Sequence, residues 1–204
     1  MDNIRLLDNN KGQTFDDRIS SPVSGSTPNT TAFSELGPDV QQLGVHDLEF
    51  TLAGRDEVSA AVQSLAAQAQ RSLLLHTEDL EPAIFDQEPF LEAVSRLARS
   101  HSQARIRILI HNSRNAIAQG HRLIELSRRL SSTIQFRRPA AEYRDFREAF
   151  LLVDDSGYLH RLQGGRYEGT GNFHDPARVS ELRKYFLEVW ERSEPDAEIR
   201  RLYL

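Results

Sequence analysis

The fold class rests on Arg105-Ile106-Arg107-Ile108-Leu109-Ile110, an aliphatic run that predicts a buried β-strand. Similar short apolar runs lie on either side of it, at residues 73–75 and at residues 133–136. Helical periodicity precedes each of the three strands, over about residues 55–69, 90–100 and 117–130. This alternation of helix and strand predicts an α/β domain with a doubly wound, mainly parallel sheet and right-handed crossovers.

The second half of the chain departs from this alternation. Apolar runs at residues 149–153 and 158–162 are joined by Asp154-Asp155-Ser156-Gly157, which predicts an antiparallel hairpin. Residues 164–171 are glycine-rich and follow the hairpin rather than joining a strand to a helix, so we expect a flexible loop there and no dinucleotide site. A helical pattern over residues 178–192 closes the domain.

The N-terminal segment differs in composition from the rest of the chain. Residues 1–44 are rich in Asn, Asp, Ser, Thr, Gly and Pro and show almost no apolar periodicity, which predicts a disordered tail followed by a domain over residues 45–204. Two short apolar islands interrupt the tail, at residues 4–7 and 32–36. The sequence leaves three alternatives open for each island: docking onto a partner, docking back onto the domain, or no measurable role.

Composition removes several classes of function. The chain has no cysteine, so it has no disulfide, thiolate-bound metal or thiol nucleophile. It contains no apolar stretch long enough for a membrane span and no signal-peptide pattern at its N-terminus, so we expect a cytoplasmic protein with no membrane association. Phosphate-loop, zincin and nucleophile-elbow motifs are also missing. We therefore expect no cofactor.

Charge is distributed unevenly along the chain, whose net charge is −5. Residues 35–98 contain 12 acidic and 3 basic residues, whereas residues 100–150 contain 10 arginines and 4 carboxylates. The basic stretch would carry any attraction for phosphates or nucleic acid. The alternative is a dipolar surface on which the two stretches partly neutralise each other.

Three segments resemble one half of a phospholipase D-type phosphodiesterase. Residues 67–75 and 93–110 are similar to the helix-to-strand passages of that family, and residues 148–155 are similar to the strand that carries its H-x-K-x-x-x-x-D signature. Gly169-Thr170-Gly171-Asn172 resembles the G-S-x-N element that follows. The resemblance covers about residues 55–192 and implies a phospholipase D-like half-module.

The signature itself is degenerate. In the family, the His attacks phosphorus while the Lys and Asn hold the phosphate oxygens. In this alignment Glu148 stands at the His position and Phe150 at the Lys position, and Asp155 and Asn172 are retained. A carboxylate repels a phosphate and a phenyl ring offers it no hydrogen bond, so we expect the phosphodiesterase chemistry to be lost.

The resemblance also suggests the setting in which such a domain works. The segment at residues 190–195 is similar to degenerate domains found at the C-terminus of bacterial acetyltransferases, which implies an adaptor or regulatory role. Half-modules of this family need a second half to complete a symmetric site. The resemblance therefore implies self-association as a homodimer.

Candidate ligand-binding residues follow from the sheet. Ligands of open parallel sheets bind beyond the C-terminal ends of the strands, and the side chains there form a candidate phosphate site: His76, His111, Arg114, Arg137, Arg138 and Asn172. In the alternative interpretation the histidines only cap strand ends and the arginines pair with nearby carboxylates. No metal site is expected.

These observations lead to one main hypothesis and two others. The main hypothesis is a non-catalytic binding or regulatory module that recognises a protein partner or an anionic, phosphate-containing ligand through the strand ends. The second is an RNA- or DNA-binding protein that uses the arginine-rich stretch. The third is a phosphodiesterase in which another histidine, His111, replaces the missing nucleophile.

Overall fold

The computed structural model describes residues 30–143 and 145–200, which form a mixed sheet covered by helices on both faces. The sheet contains nine strands, in the spatial order β1-β2-β8-β7-β6-β3-β4-β5-β9. In chain order they are β1 (Thr31–Ala32), β2 (Phe50–Ala53), β3 (Ser72–Thr77), β4 (Arg105–Ile110), β5 (Ile134–Arg138), β6 (Ala149–Val153), β7 (Gly157–Arg161), β8 (Glu168–Asn172) and β9 (Glu194–Pro195).

Seven α-helices accompany the described strands. They are α1 (Arg55–Ala67), α2 (Pro82–Phe85), α3 (Glu88–Ser100), α4 (Arg114–Ala118), α5 (Arg122–Arg129), α6 (Pro176–Arg192) and α7 (Ala197–Arg200). Helices α1, α3 and α5 bury their apolar side chains in the larger core cluster on one face of the sheet. Helix α6 covers the other face with its own smaller cluster, which includes Phe186 and Trp190.

The three strands predicted from apolar runs are parallel neighbours. Strand β4 pairs with β3 on one side and with β5 on the other. Successive side chains of β4 alternate between the two clusters, because Ile106, Ile108 and Ile110 face the larger core while Leu109 faces α6. The predicted hairpin is also present, as β6 and β7.

The sheet is less parallel than the sequence indicates. Three of the pairings among the described strands are parallel and five are antiparallel. The difference arises because β6 pairs antiparallel with β3, which places the hairpin in the centre of the sheet rather than at its end. Both edges are two-residue strands, β1 and β9.

The helix predicted over residues 117–130 is two helices, α4 and α5. Gly120 lies between them with φ of 65°, which is outside the right-handed helical region. His121 then caps α5, since its Nδ1 accepts a hydrogen bond from the Leu123 amide at 3.2 Å. Apolar periodicity continues across the break, which explains why it predicted one helix.

The glycine-rich segment is partly a strand, and the flexible-loop prediction is wrong for residues 168–172. Strand β8 pairs with β2 and β7. A Cβ atom at Gly171 would lie 2.5 Å from the Phe50 ring and 2.9 Å from the Tyr158 carbonyl oxygen. Glycine is therefore required by the close approach of two neighbouring strands, and its presence hides the strand from pattern analysis.

Residues 30–44 differ from the expected tail. They include β1 and two 3-10 helical turns, Phe33–Glu35 and Pro38–Val40. Phe33 is buried with its ring 5.2 Å from that of Phe50. The island at residues 32–36 thus docks back onto the domain, whereas the island at residues 4–7 lies outside the described residues.

None of the helices in the described ranges combines the length and the apolar composition needed to cross a membrane.

Candidate functional site

The ends of β3 and β4 bring two of the predicted site residues together. His76 is fully buried, and its ring stacks on Phe150 with 5.2 Å between centroids and an angle of 13°. His111, the first residue after β4, is half-buried and directs its Nε2 to within 3.2 Å of His76 Nε2. Two histidines from neighbouring parallel strands therefore form a direct contact, as their shared sheet edge predicts.

Hydrogen bonding defines the tautomer of His76. Its Nδ1 lies 3.0 Å from the carbonyl oxygen of Glu148, which can only accept, so Nδ1 carries the hydrogen. His76 Nε2 then accepts a hydrogen bond from His111 Nε2. Burial, followed by the neighbouring His111, lowers the pKa of His76 to about 3. His76 is therefore neutral at physiological pH, with both nitrogens engaged.

Glu148 joins this histidine pair to a second polar chain under α6. Its carboxylate is buried and accepts a 2.6 Å hydrogen bond from His160 Nε2. Arg178 on α6 directs Nη2 to His160 Nδ1 at 3.3 Å, and because a guanidinium can only donate, Nδ1 is the acceptor. Glu148 thus receives hydrogen bonds from two histidines, from His160 at its carboxylate and from His76 at its carbonyl.

The other predicted site residues do not converge on this network. Arg138 pairs with the buried carboxylate of Asp196 at 3.2 Å, and Arg137 donates to the Trp190 carbonyl oxygen at 2.7 Å. Asn172 is buried and donates to Asp47 at 2.7 Å. Arg114 is exposed at the start of α4. The alternative considered from sequence, pairing with nearby carboxylates, describes Arg138, whereas Arg137 is bound by backbone carbonyl oxygens and has no carboxylate partner among the described residues.

Three cavities among the described residues lie away from this network. They have volumes of about 370 to 420 Å³ and lie beside β5, between α3 and α5, and beside α1. None is lined by His76, Glu148 or His160. The strand ends form a filled polar core rather than an open cradle.

Either of two neighbouring aspartates, Asp154 or Asp155, can be aligned with the Asp of the degenerate signature. Asp155 is exposed and pairs with Arg183. Asp154, with φ of 51°, directs its carboxylate to the amides of Gln70, Arg71 and Ser72 at 2.8 to 3.0 Å. If Asp154 is the counterpart of the family's Asp, the His and Lys positions move by one residue, to Arg147 and Ala149. Neither register contains the His or the Lys.

The structure adds residues that sequence reasoning did not select for this site. Arg178 and Tyr185 reach it from α6, and Tyr185 packs on Phe146 with 4.3 Å between ring centroids. His160 lies on β7, the second strand of the predicted hairpin, and is buried rather than solvated. No local pattern indicates that a residue of the last helix meets the start of β6.

A metal ion has no obvious ligand set in the described ranges. Residues 30–143 and 145–200 contain no group of three or more His, Asp or Glu side chains close enough to hold one.

Comparison with known proteins gives a family and a fold. A family model described as a domain of unknown function, DUF7931, matches residues 54–202. No curated protein matches the chain.

Three solved structures are similar to this one. TrmBL2, an archaeal chromatin protein, is 17% identical with a TM-score of 0.55 over 76% of this chain and 55% of its own. NucT from Helicobacter pylori is 9% identical with a TM-score of 0.52 over 74% of this chain and 99% of its own. Nuc from Salmonella typhimurium, a phospholipase D family member, is 14% identical with a TM-score of 0.47 over 67% of this chain and 88% of its own. The chain thus spans about half of TrmBL2, and its fold is phospholipase D-like.

Proposed function

Because the chain belongs to the DUF7931 family, whose function is unknown, and has a phospholipase D-like fold, we propose that it is a non-catalytic binding module. In this proposal the domain is a pseudo-phosphodiesterase that recognises a protein partner or an anionic, phosphate-containing ligand. One observation carries the proposal: the place expected for a nucleophile holds Glu148, whose buried carboxylate is hydrogen-bonded to His160.

The chemistry of this network opposes phosphoryl transfer. A nucleophile needs an accessible lone pair, and His76 and His160 each have both ring nitrogens engaged within the chain. A phosphate approaching Glu148 would meet a negative charge in a place closed to water. Phe150, at the Lys position, is 1% exposed and packs under His76.

Turnover of a generic phosphodiester tests the non-catalytic part of the proposal. His111 is the member of the histidine pair that is half-buried rather than fully buried, so it is the candidate for any residual chemistry. We expect purified protein and the His111→Ala variant to release no p-nitrophenol from bis(p-nitrophenyl) phosphate above buffer. Turnover by the wild-type protein that His111→Ala abolishes would reject the proposal.

The binding part of the proposal concerns a protein partner or a second copy of the chain. The two edges of the sheet are two-residue strands, which offer few backbone groups for pairing with another strand. A homodimer would therefore use side chains at the strand ends, such as His111 and Arg114. Light scattering of the purified chain measures self-association directly. A monomer at all concentrations, with no protein captured by the tagged chain, would leave the anionic ligand as the remaining form of the proposal.

Nucleic-acid binding is a second candidate. It is favoured by the similarity in fold to TrmBL2, whose structure is described as showing a novel mode of DNA binding. Because this chain spans about half of TrmBL2, the similarity alone does not say which surface of this domain would be used. The distribution of unpaired arginines addresses that question.

A further inference from the structure

Three arginines lie together on the face of the sheet that α6 only partly covers. Arg105 and Arg107 alternate on β4 with isoleucines that face the larger core on the other side of the sheet. Arg137 lies on the neighbouring strand β5. The guanidinium carbons of Arg107 and Arg137 are 5.1 and 4.6 Å from the centroid of the Trp190 ring. These three side chains, which we call the arginine strip, form one cationic surface beside the end of α6.

The charges of the strip are not neutralised by ion pairs. In the described part of the chain, Arg105, Arg107 and Arg137 have no carboxylate within salt-bridge distance, in contrast to Arg122, Arg138, Arg147 and Arg183. Burial lowers the pKa of Arg107, and the neighbouring Arg105 and Arg137 lower it further, while Glu191 opposes them. Like charges held close together without a carboxylate in direct contact are a feature of anion-binding surfaces.

The strip is held in place by the protein itself. Arg137 donates to the Trp190 carbonyl oxygen at 2.7 Å, at the C-terminal end of α6, where the helix favours cations. Trp190 is buried and stacks on Phe186, so it supports the guanidinium groups rather than offering its ring to a ligand. Arg105 is exposed, and Arg107 makes no hydrogen bond to the described residues, so their donors are available.

The shape of this surface selects the type of anion. Arg137 lines the cavity beside β5, whereas Arg105 and Arg107 line none of the three cavities described above and Arg105 is exposed, so the strip runs from the edge of that cavity onto open surface. Small ligands bind in concave pockets, whereas extended polyanions bind along open rows of cations. Guanidinium groups present paired donors that match phosphate oxygens.

We propose that the arginine strip binds the phosphodiester backbone of a nucleic acid. This inference rests on the proposed function, in which the domain is a non-catalytic binding module. The strip lies on the α6 face of β4 and β5 and shares no residue with the His76, Glu148 and His160 network, so binding needs no phosphoryl chemistry.

Fluorescence anisotropy with short labelled DNA duplexes, single-stranded DNA and RNA tests the inference on the full chain. The double variant Arg105→Gln/Arg107→Gln removes two cations, which should weaken binding by roughly 10- to 100-fold at about 0.1 M salt. It should also reduce the slope of log K against log salt concentration by about 2 for duplex DNA. The single variant Arg105→Gln changes an exposed residue and should show about half of that change in slope.

Two further variants serve as controls. Arg99→Gln/Arg129→Gln makes the same change in charge at exposed positions of α3 and α5, on the opposite face of the sheet, and should leave binding unchanged. Glu191→Gln removes the carboxylate that opposes the strip and should strengthen binding. Circular dichroism of each variant checks that the fold is retained.

Three results would overturn the inference. The first is the absence of salt-dependent binding to any of the three nucleic acids. The second is an equal loss of affinity in the Arg99→Gln/Arg129→Gln control. The third is displacement of the labelled nucleic acid by polyglutamate as effectively as by unlabelled nucleic acid. The last result would identify a surface for acidic protein segments instead. The phosphodiesterase assay is independent of all three, so failure of the strip and failure of the non-catalytic assignment are distinguishable.

Discussion

His160 Nε2 donates a 2.6 Å hydrogen bond to the carboxylate of Glu148, and both side chains are buried under α6. Glu148 immediately precedes β6 and His160 lies near the end of β7, so the bond links the two strands at the open end of the β6–β7 hairpin. Glu148, at the position expected for a catalytic histidine, is therefore part of the buried core. Four predictions follow from this arrangement and from the elements around it.

Removing the charge of Glu148 should destabilise the domain. In Glu148→Gln the amide oxygen still accepts from His160, but the hydrogen bond to a charged acceptor is lost, which should lower the free energy of unfolding by about 1 to 3 kcal/mol. Glu142→Gln is the matched control, because Glu142 is exposed and its ion pair with Arg192 lies at the surface. Urea unfolding measures both variants, and equal effects would contradict a structural role for Glu148.

Acid should destabilise the domain through His76. Its pKa is about 3 in the folded protein, below the ordinary value of 6.5, so the unfolded chain binds the proton more readily. The stabilising contribution is complete above about pH 6.5 and is lost as the pH falls toward 3, at up to about 1.4 kcal/mol per pH unit. Across this pH range, the free energy of unfolding should depend less steeply on pH in His76→Asn than in the wild-type protein. His46→Asn, at an exposed position, controls for the substitution, and an unchanged slope in His76→Asn would refute the assignment.

The Asp154 carboxylate should stabilise the start of β3. It accepts hydrogen bonds from three consecutive amides, and its backbone is in the left-handed region that alanine disfavours. Asp154→Ala should therefore lower the thermal midpoint through a loss of about 2 to 4 kcal/mol, whereas Asp154→Asn should lose less. The neighbouring Asp155→Ala is a matched control at an exposed position, with an expected effect near zero. A larger effect at residue 155 than at residue 154 would reverse the assignment.

Gly171 should not tolerate a side chain. A Cβ atom there would overlap the Phe50 ring, which is fully buried and cannot move away without disturbing the core. Gly171→Ala should destabilise the domain by about 1 to 3 kcal/mol. Gly165→Ala provides the comparison, because no atom lies within 4 Å of its added Cβ. Similar midpoints for both variants in chemical unfolding would show that β8 does not pack as described.

Several features of the candidate site were accessible from the sequence. Parallel strands end at a common edge, so the apolar runs before His76 and His111 were enough to predict that these residues meet. The sequence also shows that neither register of the aspartate places a His or a Lys at the matching signature positions. Periodicity similarly identified α1, α3 and α6, because each helix buries one continuous apolar stripe.

Other features depended on contacts that no local pattern records. Strand β8 consists of Glu168-Gly169-Thr170-Gly171-Asn172, in which Thr170 is the one residue that favours a strand, and it forms a strand because β2 and β7 pair with it on both sides. The docking of Phe33 onto Phe50 similarly requires β2 and β8 to be in place.

The sequence by itself determined the alternating helices and strands, the parallel order of β3, β4 and β5, and which residues stand at the signature positions, because residue identity and periodicity are local properties. Tertiary structure alone decided that β6 lies beside β3, that Glu148 is bound by His160, and that Arg105, Arg107 and Arg137 share one surface with Trp190. The physical reason is that each of these relationships joins residues from different elements. Strand order and the packing of α6 set the distances between these residues. Their neighbours in the sequence do not.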